Sequence, residues 1–225
     1  MTFTDRELLR LHVEAVWGVS LPALTTTTIE LSSQGIQPDW VLYIGKLAAE
    51  TTYIWRPDIT LTQRQQLEDW WERGQITPAN YKVHHEKALA PSHSPAMSLA
   101  TVQDIARPLT QDDYPLLEAY STGQGNYFLQ PACAPLIGVI KEQQILSIAH
   151  SSRRTTQACE LGVETHPQAR RQGFALAATI LWANSVSQEG LLPLYSALAE
   201  NSASIRLAHA AGYRPFVAGT TISLS

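Results

Sequence analysis

The sequence predicts an α/β protein, and three observations carry that expectation. Apolar residues recur at helical spacing in several long stretches. Short runs rich in β-branched and aromatic residues, or alternating apolar and polar, separate those stretches. The two patterns also take turns along much of the chain, as they do when helices cover the faces of a sheet. With 44 % apolar and only 16 % charged residues among 225, the chain has ample material for a folded core.

"DRELLRLHVEAVWGV" (Asp5 to Val19) places Leu8, Leu9, Val13, Val16 and Trp17 at helical spacing behind Asp5, and predicts a helix. "DWVLYIGKL" and "TTYIWRP" predict two strands. "LTQRQQLEDWWERG" predicts a helix that stops at Gly74. The first third therefore forms an additional N-terminal α/β part, residues 1–90. Its tryptophans, Trp17, Trp40, Trp55, Trp70 and Trp71, suit a core first of all. An interface with a second subunit, in a homodimer, and a wall of a substrate pocket are the other readings. "ALAPSHSPAM" is rich in Pro and Ser without periodicity, which places a linker at residues 91–96. Neighbouring His84, His85 and His93 read as solvated loop histidines, because no metal-ligand spacing accompanies them.

A second domain spans residues 97–225. A strand is expected near Leu99 to Ile105, and a short helix starts within "TQDDYPLLEAY". "APLIGVIKEQQILSIAHSS" reads as a hairpin turning at Lys141 to Gln144. "ACELGVET" alternates, with Cys159, Leu161 and Val163 on one face and Glu160, Gly162 and Glu164 on the other. An apolar helix follows, roughly Arg171 to Gln188, then a strand in "PLYSALAE". "NSASIRLAHAAGY" is a short helix capped at Asn201 or Ser202 and closed by Gly212, and "RPFVAGTTISLS" is a last strand.

A formal net charge of −4 lacks the electrostatic footprint of a general nucleic-acid binder. The two cysteines, Cys133 and Cys159, lie far apart, so no zinc site, other metal centre or disulfide framework is expected. No signal-like opening and no run of about 18 apolar residues occurs, which sets a soluble cytoplasmic protein with no membrane partner as the expectation.

The stretch with the most chemistry is "THPQARRQGFALAATILWANS". A strand delivers the chain straight into a helix N-terminus, where main-chain N–H groups lack partners and the helix dipole is positive. Such a junction is built for a phosphate. Gly173 admits a bulky anion to the main chain, Ala175 keeps the next position small, and Arg170 and Arg171 add charge. The same Args are mildly unfavourable for an isolated helix.

"THPQARRQGFA" resembles the acyl-CoA loop of the GNAT superfamily of N-acetyltransferases, whose pattern Arg170, Gly173 and Ala175 fill. "YSALAENSASIRLAHAAGYRPF" resembles the strand and helix that follow in that superfamily, with Asn after the strand and a Gly–aromatic pair after the helix. The resemblance implies a mixed, mostly antiparallel central sheet flanked by helices. It implies acetyl-CoA as acyl donor and no metal. The activity implied is transfer of an acetyl group to a primary amine of a small molecule or peptide, by direct attack in a ternary complex. The CoA pyrophosphate would rest on the main chain from Arg171 through Gln172, Gly173 and Phe174 to Ala175, beside Arg170. The pantetheine would run along Val163, Glu164 and Thr165, and Asn201 and Ser204 would meet the ligand from the next helix.

The same comparison leaves the catalytic acid open. GNAT members often carry a Tyr seven residues past the Asn, and Ala208 stands there. Tyr195 and Tyr213 are the substitutes expected, with Glu160 as base and His150 as a weaker candidate. The absent Tyr also motivates an alternative, a catalytically inactive acyl-CoA-binding sensor or partner-binding module.

Overall fold

The computed structural model describes residues 3–74 and 80–225. The chain forms two compact units. One comprises Met1–Ala88, Ala197–Glu200 and Pro215–Ser225, and the other Leu89–Ser196 and Asn201–Arg214.

The chain opens with α1 (Asp5–Trp17), which begins at a capping box: Thr4 accepts from the Glu7 amide while the Glu7 carboxylate reaches back to Thr4. Gly18 ends it in the left-handed conformation. Then come β1 (Thr28–Glu30), β2 (Trp40–Lys46), β3 (Thr51–Trp55) and α2 (Leu61–Glu72), the last opened by a Thr60–Gln63 capping box. Residues Tyr81–Pro91 form β4. This corrects the loop expectation for His84 and His85, which stand on that strand; His85 Nδ1 lies 2.9 Å from Thr220 Oγ1.

Beyond β4 the chain makes α3 (Leu99–Ile105), β5 (Arg107–Pro108), α4 (Tyr114–Tyr120) and α5 (Gly125–Phe128). The strand expected at Leu99 to Ile105 is therefore a helix. Ser98 caps it by accepting from the Thr101 amide, and Val102 is its buried residue. The hairpin is β6 (Ile137–Lys141) and β7 (Gln144–Arg154), with Glu142 and Gln143 at positive φ between them. Next are β8 (Ala158–Thr165), α6 (Phe174–Gln188), β9 (Leu192–Leu198), α7 (Ser202–Ala210) and β10 (Tyr213–Leu224). Helix α6 starts three residues later than its apolar pattern suggests, because Arg171 and Gly173 both hold positive φ.

In the first unit the strand order is β1-β3-β2-β10-β4, with β1–β3 parallel and β3–β2 and β2–β10 antiparallel. Its core joins Val41, Leu42, Ile44, Trp55, Ile59, Leu67 and Ile222, with Trp70 and Trp71 packed against it. Trp40 and Trp55 are fully buried, and Trp17 meets Trp40 and Tyr43 edge-on. The core reading is thus observed for Trp40 and Trp55, while Trp17, Trp70 and Trp71 are half-buried.

In the second unit the order is β9-β8-β7-β6-β5, antiparallel except for the parallel pair β8–β9. Helix α6 is buried along Ala177 to Trp182 and again at Val186. The Trp182 indole donates to Ser151 Oγ on β7 at 3.2 Å, which satisfies a buried donor. A second core, Leu109, Leu117, Phe128, Leu136, Ile145 and Ile148, lies under α4 and α5.

Candidate functional site

The site begins with an interrupted ladder. β8 and β9 pair in parallel at Ala158 with Leu192, Cys159 with Pro193 and Glu160 with Leu194, and there the pairing stops. β8 stays paired with β7 as far as Thr165. Along Leu161 to Thr165 its other edge therefore has no strand partner among the described residues.

The fork opens into a cleft of about 970 Å³ within the second unit. Val163, Glu164 and Thr165 line it from β8, Tyr195 from β9, and Asn201, Ala203, Ser204, Arg206 and Leu207 from the α7 side. Tyr120 and Ser121 close another wall. Arg170, Arg171, Gly173, Phe174 and Ala175 line it where the chain enters α6. The 3-10 turn Pro167–Ala169 holds that entry in place.

This loop has the geometry of an anion cradle. Gly173 is the N-cap residue of α6 at φ 81°, and no side chain caps the helix. A Cβ added to Gly173 would meet only Met97 Cε, at 3.8 Å, but at that φ an L side chain is strained. Arg171 holds φ 62°, a conformation that costs a non-Gly residue on the order of 1–3 kcal/mol and concentrates at functional sites. Phe174 is pinned by Lys141, whose Nζ stands 4.8 Å from the ring centroid. Gln172 does not line the cleft; its amide donates to the Gln168 carbonyl at 3.2 Å and ties the loop to itself.

The guanidiniums are distributed unevenly. Seven of the twelve arginines, Arg6, Arg10, Arg56, Arg64, Arg73, Arg107 and Arg154, pair with a carboxylate. Arg170, Arg171 and Arg206 have no such partner among the described residues, and all three line this cleft. The contribution of Arg206 was not read from the sequence. Its place on the Asn201 side of α7 was the one available signal.

The proposed catalytic residues stand at the fork. Glu160 is buried and, like Ser196, does not line the cleft; its Oε1 accepts from Ser196 Oγ at 2.7 Å. The Tyr195 and Ser204 hydroxyls lie 2.8 Å apart, and Ser204 N donates to Asn201 Oδ1 at 3.1 Å. Asn201 is thus both a helix cap and a wall of the cleft. Burial raises the Tyr195 phenol above its ordinary value, the Ser204 hydrogen bond opposing that shift and the charge of Glu160 adding to it. Tyr213 meets Tyr195 edge-on at 5.7 Å, but it is buried and does not line the cleft. Its hydroxyl has no hydrogen-bond partner among the described residues, and burial pushes its pKa far up. Ala208 is fully buried.

His150 is buried on β7 opposite Gly162, and a Cβ there would come within 2.5 Å of its Nε2. Burial lowers its pKa, which keeps the ring neutral. Both cysteines are buried, burial raises both thiols, and neither lines the cleft. Among the described residues no His, Cys, Asp and Glu group is arranged to hold a metal, and no helix is long and apolar enough to cross a membrane.

A forked parallel strand pair beside a glycine-opened helix N-terminus, in a mostly antiparallel sheet flanked by helices, defines an acetyltransferase-type fold. Residues 137–217 match the family model described as GNAT acetyltransferase. Among solved structures it is similar to a putative GNAT-family acetyltransferase from Novosphingobium aromaticivorans, at 20 % identity and a TM-score of 0.51, over 67 % of this chain and 70 % of that one. It is also similar to a GCN5-related N-acetyltransferase-like protein from Streptococcus suis, at 15 % identity and a TM-score of 0.52, over 84 % and 85 %. An acetyltransferase of the GNAT family from Colwellia psychrerythraea gives 12 % identity and a TM-score of 0.51, over 77 % and 76 %. Likenesses at these identities establish the fold. No curated protein matches the sequence.

Proposed function

We propose that the second unit binds acetyl-CoA in this cleft and transfers its acetyl group to a primary amine of a small molecule or peptide. The observation that carries the reading is that Arg170, Arg171 and Arg206, none with a carboxylate partner among the described residues, line one cleft with an uncapped helix N-terminus. An elongated ligand with several phosphate charges fits that arrangement, with a pyrophosphate on the amides of Arg171 to Ala175. The unpaired edge of β8 from Val163 to Thr165 suits an amide-bearing chain that hydrogen-bonds like an added strand.

When bound, the thioester supplies an acyl carbon open to a neutral amine nitrogen. A C–N bond forms as the C–S bond breaks. Tyr195, protonated at neutral pH and bonded to Ser204, stands to give its proton to the leaving sulfur. Glu160, reached through Ser196, is the base that accepts the proton from the attacking nitrogen. The buried, protonated state of Cys133 and Cys159 supports direct attack without an acyl-enzyme intermediate.

Calorimetric titration with acetyl-CoA tests the donor. Wild type is expected to bind at micromolar concentration, and the double variant Arg170→Glu, Gly173→Trp to bind at least about 100-fold more weakly through lost charge pairing and a filled cradle. No binding by wild type at millimolar acetyl-CoA overturns the reading. Ala208, buried where the resemblance expects a Tyr, favours a second reading as an acyl-CoA-binding sensor. That reading requires binding with no release of free CoA for any amine offered.

A further inference from the structure

The cleft is electrically polarised. Arg170, Arg171 and Arg206 line it, and Glu164 is the one acidic residue that does so. Glu164 is exposed, and its carboxylate makes no ion pair or side-chain hydrogen bond among the described residues. Its main chain, in contrast, is fixed, since its carbonyl accepts from Ser147 Oγ at 2.9 Å. A free carboxylate on a rigid strand end is a poor neighbour for a polyphosphate. It faces a part of the cleft suited to something positive.

One wall of the cleft is aromatic, and Tyr127, His150 and Phe128 lie outside its lining. Tyr120 lines the same cleft, and its phenol is pushed up to about 12 by burial and then by the charge of Glu164. Tyr127 is 39 % exposed and touches His150 and Phe128 edge-on, at 5.9 and 5.4 Å. It feels Glu164 from one side and Arg153 from another. Arg153 does not line the cleft. His150 lies over Gly162, two residues before Glu164, and is held neutral, so it adds no competing charge.

We propose that Glu164, with Tyr120 on the same cleft, forms a cation subsite, so that the acceptor is an amine carrying a second group that is positive at neutral pH, such as a diamine or a basic side chain. This rests on the acyl-transfer reading. The reacting nitrogen must be neutral when it attacks, so the charge held at Glu164 belongs to another nitrogen of the same molecule. Glu164 lies four residues along β8 from Glu160, about 13 Å at the usual strand rise. An extended five-carbon diamine, about 7.5 Å from nitrogen to nitrogen, covers such a distance with a hydrogen bond of about 2.8 Å at each end.

The test compares 1,5-diaminopentane with n-pentylamine, followed by release of free CoA, in wild type, Glu164→Gln and Glu164→Asp. Wild type should prefer the diamine in kcat/KM by about five- to tenfold, the worth of one ion pair reinforced by an aromatic face. The preference should fall to near one in Glu164→Gln, chiefly through KM, and return in part in Glu164→Asp. Equal use of the two amines by wild type, or a preference that survives Glu164→Gln, overturns the subsite. If neither amine releases CoA, titration of 1,5-diaminopentane into the CoA-saturated protein decides. Binding weakened by Glu164→Gln sustains the subsite, and no binding overturns it. Failure of wild type to bind acetyl-CoA is a separate result that defeats the acyl-transfer reading alone.

Discussion

At the scale of single residues, the site depends on what small side chains leave out. Gly162 shows this most directly, because its missing Cβ makes the room that the buried His150 ring occupies. Gly162→Ala is expected to force the ring off its rotamer and to destabilise the second unit by about 1–3 kcal/mol, the usual cost of overpacking. Urea unfolding followed by fluorescence measures it, and an unchanged midpoint would show that the ring has another place to go. Gly173 acts differently. There the backbone conformation, more than the space, requires glycine. Both glycines stand out in the sequence, but only the first is explained by a neighbour, and that neighbour is twelve residues away on another strand.

At the scale of elements, local chemistry and long-range pairing divided the work. Thr4, Thr60, Ser98 and Asn201 all cap helices as their types suggest. Ser98 decided α3 against the strand expected there, since its hydroxyl offers the Thr101 amide the partner a helix start needs. Ser98→Ala should cost about 1 kcal/mol, read as a lower thermal midpoint with the acetyl-CoA affinity unaltered. An unchanged midpoint would mean that the packing of Val102, and not the cap, holds the helix. β4 failed to announce itself for the opposite reason. Its burial pattern has no clean alternation over Tyr81–Lys87, and its strand conformation is imposed by pairing with distant segments.

At the scale of the whole molecule, the carboxylates that matter for acid stability sit in both units. In the first, Glu86 Oε1 lies 2.9 Å from His12 Nε2 and accepts from the Tyr43 hydroxyl at 3.0 Å. Burial works to raise the Glu86 pKa, and the charge and hydrogen bond of His12 with the bond from Tyr43 more than offset it, so the group titrates below its ordinary value. In the second, the Arg107 guanidinium holds Asp113 down in a two-bond pair at 2.6 and 2.9 Å. A depressed carboxylate contributes stability that is complete at neutral pH and drains away as pH falls through about 4 toward the folded value. Wild type should therefore lose thermal stability as the pH is lowered from about 5 to about 3. Glu86→Gln should be less stable at pH 7 and show a smaller loss over the same interval. An equal loss in wild type and variant would place the acid sensitivity elsewhere.

The sequence by itself determined the strand-to-helix junction at Gly173, the cap at Asn201 and the hairpin, because each is written within a few residues by side-chain size, cap chemistry and period. It also carried the resemblance that named the family, through two motifs in the right order. Only the tertiary structure decided where β8 and β9 part, since a ladder ends where two strands separated by a helix diverge. The same holds for the place of β10 between β2 and β4 and for the arginines left without carboxylates. Pairing between residues far apart in the chain creates each of these, and no local pattern encodes a partner that distance in sequence conceals.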